Sequence, residues 1–294
     1  MDYLDADTFA VAVVELAKFT VLEAINVFTS IRPSRILCAA TMIALGITGL
    51  VNGEFARGFQ IIPIRHLAGL TGFAYATAII EVLIGVGLLL RPTLTMSCRA
   101  LFIFMLLWLV LLELTWIART PLVQEPWASA SEIGIILAGA WCLLAAHSGA
   151  WEKAHLGFIA GDRGIRAARI LLIISLPMIG LDGLVHPYNF SYEPWLAWLP
   201  HPSWWIHLTG IGSIAACLGL LFAVFPRLAA TMEAGMLGFI TVAYWGPDLH
   251  TGQTATTCFV ISALIAAGVW LVADTYRNVP WLAIGRASRG ISID

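Results

Sequence analysis

The sequence predicts an all-α integral membrane protein with about eight transmembrane helices, arranged as two tandem four-helix bundles after an N-terminal amphipathic helix. Three observations support this prediction: an apolar composition, eight long apolar segments and an internal repeat. Of the 294 residues, 60% are hydrophobic and only 12% are charged. A soluble domain of this length does not need so many apolar residues to fill its core. Lipid is therefore expected to surround much of the protein.

Eight segments are long and apolar enough to be transmembrane helices. A helix needs roughly 20 mostly apolar residues to cross a bilayer core of about 30 Å. The predicted spans are 35–54, 67–91, 95–117, 129–148, 167–186, 204–225, 228–246 and 254–275.

The distribution of positive charge predicts the orientation of these spans. With eight spans, both termini lie on the same side of the membrane. Twelve Lys and Arg residues fall on that side, whereas Arg57, Arg65 and Arg119 flank the spans on the other. Because positively charged loops are retained in the cytoplasm, both termini of this multi-pass protein are expected to be cytoplasmic.

Residues 1–30 form a segment of a different kind. Asp2, Asp5 and Asp7 stand where a signal peptide would carry positive charge, and no small-residue cleavage site follows. Polar residues recur on one helical face of this segment and apolar residues lie off that face. The pattern predicts an amphipathic helix lying in the membrane interface.

An internal repeat divides the remaining chain into units 31–150 and 151–294. A shift of 134 residues aligns Arg35-Ile36-Leu37 with Arg169-Ile170-Leu171. A shift of 129 residues aligns the fourth spans. Since each unit contributes four spans, both units are expected to insert in the same orientation. Further matching pairs are Gly46 with Gly180, Gly49 with Gly183, Gly85 with Gly219, Pro92 with Pro226, Gly139 with Gly268 and Trp141 with Trp270.

Each unit resembles the DoxX-type four-helix unit of small bacterial membrane proteins. The resemblance lies in the glycine-containing first span, in a loop rich in proline and aromatic residues at 195–202, in Arg-Leu-Ala-Ala-Thr at 227–231 and in Glu-Pro-Trp-Ala-Ser-Ala-Ser-Glu at 125–132. It covers most of 35–150 and 167–275. Where many such units have His-Leu-Pro after the third span, this chain has Trp116-Ile-Ala and Trp245-Gly-Pro-Asp248.

The resemblance implies a location in the bacterial inner membrane and an association with electron transfer. Some members of the family are linked to quinone-coupled sulfur oxidation or to membrane oxidoreductase complexes. The implied partners are the lipid bilayer and other membrane or redox proteins, and the implied cofactor is a quinone. Haem or copper is a less favoured alternative.

Four acidic residues are candidates for chemistry inside the membrane. Glu81 falls halfway along the second span, where a carboxylate costs about 2.5–3.5 kcal/mol on insertion scales. It is interpreted either as a proton-relay or quinone partner, or as a neutral acid hydrogen-bonded to a neighbouring helix. Glu113 and Glu132 are predicted at similar depth close to Arg119, where an Arg–Glu ion pair is favoured over a paired-carboxylate active site. The fourth candidate, Asp182, belongs to the cluster described next.

The outer side of the second unit is predicted to carry a cluster of polar residues at helix ends and in loops. Imidazole and carboxylate groups can bind zinc or copper, and a histidine pair can ligate haem, but these spacings match no established signature. The alternatives are a polar pocket for a quinone headgroup and ordinary interfacial polarity. Its candidate residues are Asp182, His186, His201, His207, Asp248 and His250.

Several kinds of site and partner are not predicted. The five cysteines are scattered through apolar segments without a CxxC pair, so no disulfide or metal framework is expected. The net charge is -2, and no basic block or phosphate-binding loop is present. Neither nucleic acid nor a nucleotide is expected as a partner.

The favoured functional hypothesis is a DoxX-like membrane subunit or accessory protein of an electron-transfer or quinone-linked complex. If it takes part in catalysis, it is expected to do so as a component of a membrane oxidoreductase. The alternatives are a small-molecule transporter or channel and a non-catalytic assembly scaffold.

Overall fold

The computed structural model describes residues 31–55, 69–185, 201–247, 249–250 and 252–285, with only the backbone for Asp182, Pro202 and Ser203. Eight helices in these ranges are long and apolar enough to cross a membrane. They are α1 (Pro33–Asn52), α2 (Leu70–Leu89), α3 (Leu94–Arg119), α4 (Gln124–Ala146), α6 (Gly161–Val185), α7 (Pro202–Leu221), α8 (Pro226–Trp245) and α9 (Gln253–Asp274). A short helix, α5 (Ala150–His155), precedes α6.

The predicted all-α membrane fold with eight spans is confirmed within the described residues. Most helix ends fall within about three residues of the predicted boundaries. The exceptions are the end of α7, at Leu221 rather than 225, and the starts of α4 and α6. Helix α4 begins at Gln124 rather than 129, and α6 begins at Gly161 rather than 167. Both helices start with polar turns that an apolar pattern does not detect. The predicted amphipathic helix at 1–30 lies outside the described residues.

The two ends of the bundle differ in charge. Helices α1, α3, α6 and α8 begin at one end, where α2, α4, α7 and α9 finish. We call this the arginine-rich end, because among the described residues it holds every Lys and Arg except Arg119, which closes α3 at the opposite end. The asymmetry matches the one predicted from the sequence.

The two units interlock through their first and last helices. Helix α1 packs against α9, and α6 packs against α4, so the first helix of each unit contacts the last helix of the other. Contacts between the first and last helices of the same unit are few or absent by comparison. Helices α4 and α9 consequently lie in the middle of the protein, and they are the most buried of the eight spans.

Gly139 of α4 and Gly268 of α9, a matched pair in the repeat, lie where these central helices meet. A Cβ atom added to Gly139 would lie 2.7 Å from the Cα of Gly268, and one added to Gly268 would lie 2.8 Å from the carbonyl oxygen of Ile135. The absence of side chains thus lets the two backbones touch. Because matched residues meet each other there, the approximate two-fold axis between the units passes near this contact.

The third helix of each unit contains a π-helical turn at a corresponding place. Helix α3 has fifteen α-helical residues before the turn Leu109–Glu113, and α8 has fifteen before Thr241–Trp245. Such turns insert one extra residue into a helix and are frequent at functional sites. At the shift of 134 residues Leu109–Glu113 corresponds to 243–247, so the two turns are offset by two residues in the aligned sequences.

Candidate functional site

Glu81, the mid-span candidate, is buried in α2, with 2% of its surface exposed. It faces protein rather than lipid, as an acidic residue at this depth must. Its repeat equivalent, at a shift of 134, is Ala215. Whatever role Glu81 has is therefore confined to the first unit.

Glu113, the second acidic candidate, ends the π-helical turn of α3 and is 1% exposed. Its Oε2 atom has no hydrogen-bond partner among the described residues, and neither does the buried Oγ of Ser129 on α4. These side chains lie beside each other. Arg119 is exposed about two turns away, and its expected ion pair with Glu113 stays a prediction. Glu132 is half-buried on α4 and lies near Cys258 of α9.

A third buried acid, Glu233 of α8, is held by a hydroxyl group. Ser213 Oγ of α7 donates a 2.8 Å hydrogen bond to Glu233 Oε1, and both side chains are 2% exposed. From the sequence alone Arg227, six residues earlier, is within reach of Glu233. The guanidinium instead lies 4.0 Å from the ring centre of Trp281 and donates to the Val279 carbonyl.

The predicted polar cluster at the opposite end is only partly covered by the structure. His201 caps the start of α7, where its ring lies 5.8 Å from that of Trp204; His207 is half-buried on the same helix; and His250 is exposed. Asp182 is described by its backbone in α6, and His186 and Asp248 lie outside the described residues. In the part of the chain that is described, no three His, Cys, Asp or Glu residues group as metal ligands. The cluster therefore stays a prediction.

A polar network at the arginine-rich end connects three helices. Ser34 Oγ of α1 donates a 2.5 Å hydrogen bond to Asp274 Oδ2 at the end of α9. Arg277 Nε donates to the other oxygen of Asp274 at 2.9 Å. Arg169 of α6 donates to the hydroxyl and carbonyl of Thr275, at 2.9 and 2.6 Å, and lies 3.7 Å from the ring centre of Tyr276. The network ties α1 and α6 to α9.

A cavity of about 270 Å³ lies beside this network. Arg32, Ser34 and Arg35 form its wall on α1, and His147 lines it at the end of α4. Burial lowers the pKa of His147, and Arg35 and Arg32 act in the same direction. His147 Nδ1 lies 3.0 Å from the Leu143 carbonyl. At neutral pH the cavity is therefore lined by a neutral imidazole and two guanidinium groups, together with the side chain of Asp274.

A second cavity, of about 510 Å³, opens between α3, α4 and the segment around α5. Its walls are mostly apolar, and Arg99 and Glu152 form an ion pair at its edge. Hydrogen bonding from its own backbone is the main cause that lowers the pKa of Glu152, and Arg99 adds to this effect. Arg99 Nε is buried and has no hydrogen-bond partner within the described part of the chain. The remaining lining residues are Phe102, Ile103, Leu144, Trp151, Leu156 and Ile159.

Comparison with protein-family models, curated proteins and solved structures gives no match.

Sequence reasoning missed both cavities at the arginine-rich end. The polar residues of the smaller one are far apart in the chain, since Ser34 and Asp274 are separated by 240 positions. One signal was present: Arg35 and Arg169 are matched in the repeat, and both lie where a helix enters the membrane. Each arginine lies near the end of the last helix of its own unit, where Arg169 meets Thr275 and Tyr276 and Arg35 lines a cavity with Ala146 and His147.

Proposed function

We propose that this chain is a DoxX-like accessory subunit of a bacterial membrane electron-transfer complex, and that it binds a quinone in the 510 Å³ cavity. The observation that carries this proposal is the combination of apolar walls with the unpartnered Nε of Arg99. Small-molecule sites typically enclose about 300–1,000 Å³ and combine apolar walls with a few placed polar groups. The resemblance to DoxX-type units supports the redox association.

The residues around this cavity suit a quinone headgroup. A quinone carbonyl is a hydrogen-bond acceptor, and Arg99 Nε–H is a donor without a partner. Glu152 fixes the guanidinium through the ion pair and is itself held by the Gly149 N–H at 3.0 Å. Phe102 and Trp151 provide aromatic surface beside it. A bound quinone would supply the electron- and proton-carrying chemistry, and the protein would hold it and exclude competing ligands.

The packing between the two units argues against a transport pathway there. Transporters built from repeats commonly bind their substrate near the midplane, between the repeats. Here α4 and α9 fill that interface, and the close approach at Gly139 and Gly268 leaves no room for a substrate between them. Ile135 and Ile136 of α4 lie against Gly268 there, and both are almost fully buried.

The orientation also forms part of the proposal. We place the arginine-rich end in the cytoplasm and the protein in the bacterial inner membrane, with both termini cytoplasmic. The quinone cavity then opens toward the cytoplasmic leaflet. Partner redox proteins would contact the lipid-exposed helices or the polar surfaces at either end.

Quinone binding in nanodiscs tests the proposal. The purified protein is titrated with a short-tailed ubiquinone, and the amount bound by empty nanodiscs is subtracted. Ile103→Trp fills the cavity, and its matched control is Ile174→Trp on α6. Ile103 and Ile174 are 54% and 65% exposed, but only Ile103 lines the cavity. We expect Ile103→Trp to weaken binding at least tenfold and Ile174→Trp to leave it unchanged. Equal binding by the two variants, or no binding above the empty nanodiscs, would overturn the proposal.

A further inference from the structure

The 270 Å³ cavity is the other notable feature of the arginine-rich end. It lies between the start of α1 and the ends of α4 and α9, so three helices enclose it. Its volume exceeds that of several water molecules, at about 30 Å³ each. It is therefore large enough for a small polar group that enters from the membrane surface.

Positive charge predominates around this cavity. Arg32 and Arg35 line it directly. The carboxylate that lines it, Asp274, already accepts hydrogen bonds from Ser34 and Arg277. The positive end of the α1 helix dipole points to the same place, and no side chain caps the helix there. A negatively charged ligand would be stabilised by all of these groups.

Comparison of the matched arginines identifies the donor that lacks a partner. Arg169, in the second unit, donates to the hydroxyl and carbonyl of Thr275 and stacks on Tyr276. The positions that match Thr275 and Tyr276, at the shift of 129, are Ala146 and His147. Arg35 therefore meets no threonine hydroxyl and no tyrosine ring at these positions. The Arg35 Nε atom is buried, and no described residue forms a hydrogen bond with it.

We infer that this cavity binds a phosphate group, with Arg35 as its main ligand and Arg32 as a second. Guanidinium groups bind phosphate through paired, charge-assisted hydrogen bonds. Basic pockets between transmembrane helices at a membrane surface are also known to hold phospholipid headgroups. The phosphate can therefore come from an anionic lipid or from the solvent. The inference does not depend on the proposed quinone site.

Two experiments on the full chain separate these sources. In nanodiscs of phosphatidylcholine, inorganic phosphate is titrated by calorimetry, with chloride at equal ionic strength as the reference. In a second series, phosphatidylglycerol or cardiolipin replaces part of the phosphatidylcholine, and the rise in thermal midpoint is measured. A saturable response to phosphate identifies a free anion as the ligand. A response to the anionic lipid alone identifies a headgroup, and either result supports the site.

Two variants assign the response to Arg35. Arg35→Gln is expected to weaken phosphate binding, or the lipid-dependent rise in midpoint, at least tenfold. Arg166→Gln is the control, because Arg166 is exposed on α6 at the same end of the protein but does not line the cavity. Ala146→Thr keeps every charge and restores the hydroxyl found in the second unit. It should satisfy Arg35 internally and weaken binding several-fold.

Ala146→Thr also decides the result if Arg35→Gln fails to fold. Ala146 is exposed, so the added hydroxyl should be accommodated without disturbing the bundle. Absence of any saturable response in the wild-type protein would overturn the inference. So would a response that both Arg35→Gln and Ala146→Thr leave unchanged.

Discussion

Gly139 and Gly268 occupy the same position in the two repeats, and they meet each other at the centre of the protein. A Cβ atom on Gly139 would lie 2.7 Å from the Cα of Gly268. The contact closes the interface between the units and joins α4 and α9, which are the last helices of their units. The two four-helix units form one protein because their last helices, α4 and α9, pack together at the centre. The first helix of each unit packs against the last helix of the other.

The first prediction concerns this contact. Gly139→Ala should destabilise the protein by roughly 1–3 kcal/mol, because the added methyl group meets backbone that no rotamer change can move. Gly235→Ala on α8 is the control, since nothing lies within 4 Å of its added Cβ. The free energy of unfolding in one detergent measures both. Equal stability of the two variants would contradict the close approach of α4 and α9.

The second prediction concerns the link between α1 and α9. Asp274→Ala leaves the hydroxyl of Ser34, which is fully buried, without its acceptor and should cost about 1–3 kcal/mol of unfolding free energy. Ser34→Ala together with Asp274→Ala should cost less than the sum of the single changes. Asp162→Ala, at an exposed position near the start of α6, provides the control. Additive losses in the double variant would show that the two side chains do not interact.

The third prediction concerns the acid on α8. Glu233→Gln keeps an oxygen that can accept the Ser213 hydrogen bond, so the thermal midpoint should change little. Glu233→Ala removes that acceptor and leaves a cavity, and it should destabilise by roughly 2 kcal/mol or more. A large loss on Glu233→Gln would instead show that the charged carboxylate is required. Such a result would indicate that a cation lies close to the Glu233 carboxylate in addition to the Ser213 hydroxyl.

The fourth prediction concerns the pH dependence of stability. Burial lowers the pKa of His147, so the unfolded chain takes up this proton more readily than the folded one. Neutral His147 therefore makes its full contribution to the free energy of unfolding above the unfolded-state pKa of about 6.5. This contribution is lost as the pH falls below that value. His147→Gln should show a smaller drop in thermal midpoint between about pH 7.5 and about pH 5.5 than the wild-type protein. His155→Gln, exposed on α5, is the control and should behave as the wild type.

The sequence predicts the fold well because the bilayer imposes strong requirements. A span needs a continuous apolar segment, and the predicted repeat rests on matched Gly, Pro and Arg residues, as at Arg35 and Arg169. The starts of α4 and α6 were missed because their first turns are polar. The exchange of partners between α1 and α6 was not predicted, since it depends on interhelical packing rather than on the pattern within any one span.

The candidate sites were harder to predict. An acidic residue in a span is expected to be buried, and Glu81, Glu113 and Glu233 are all buried. Which side chain lies next to each acid depends on how the helices pack. Sequence distance suggested arginine partners for Glu113 and Glu233, whereas serine side chains lie beside both. The smaller cavity at the arginine-rich end joins residues far apart in the chain, and the larger one depends on how α3, α4 and α5 pack together.

Photolabelling with an azido-quinone tests the central claim, quinone binding between α3, α4 and α5, most directly. The labelled protein is digested and the modified peptides are identified by mass spectrometry, with and without excess unlabelled quinone. We expect modification within 99–103 or 151–159 that the excess quinone prevents. Labelling confined to other helices, or labelling at this cavity that excess quinone does not reduce, would contradict it.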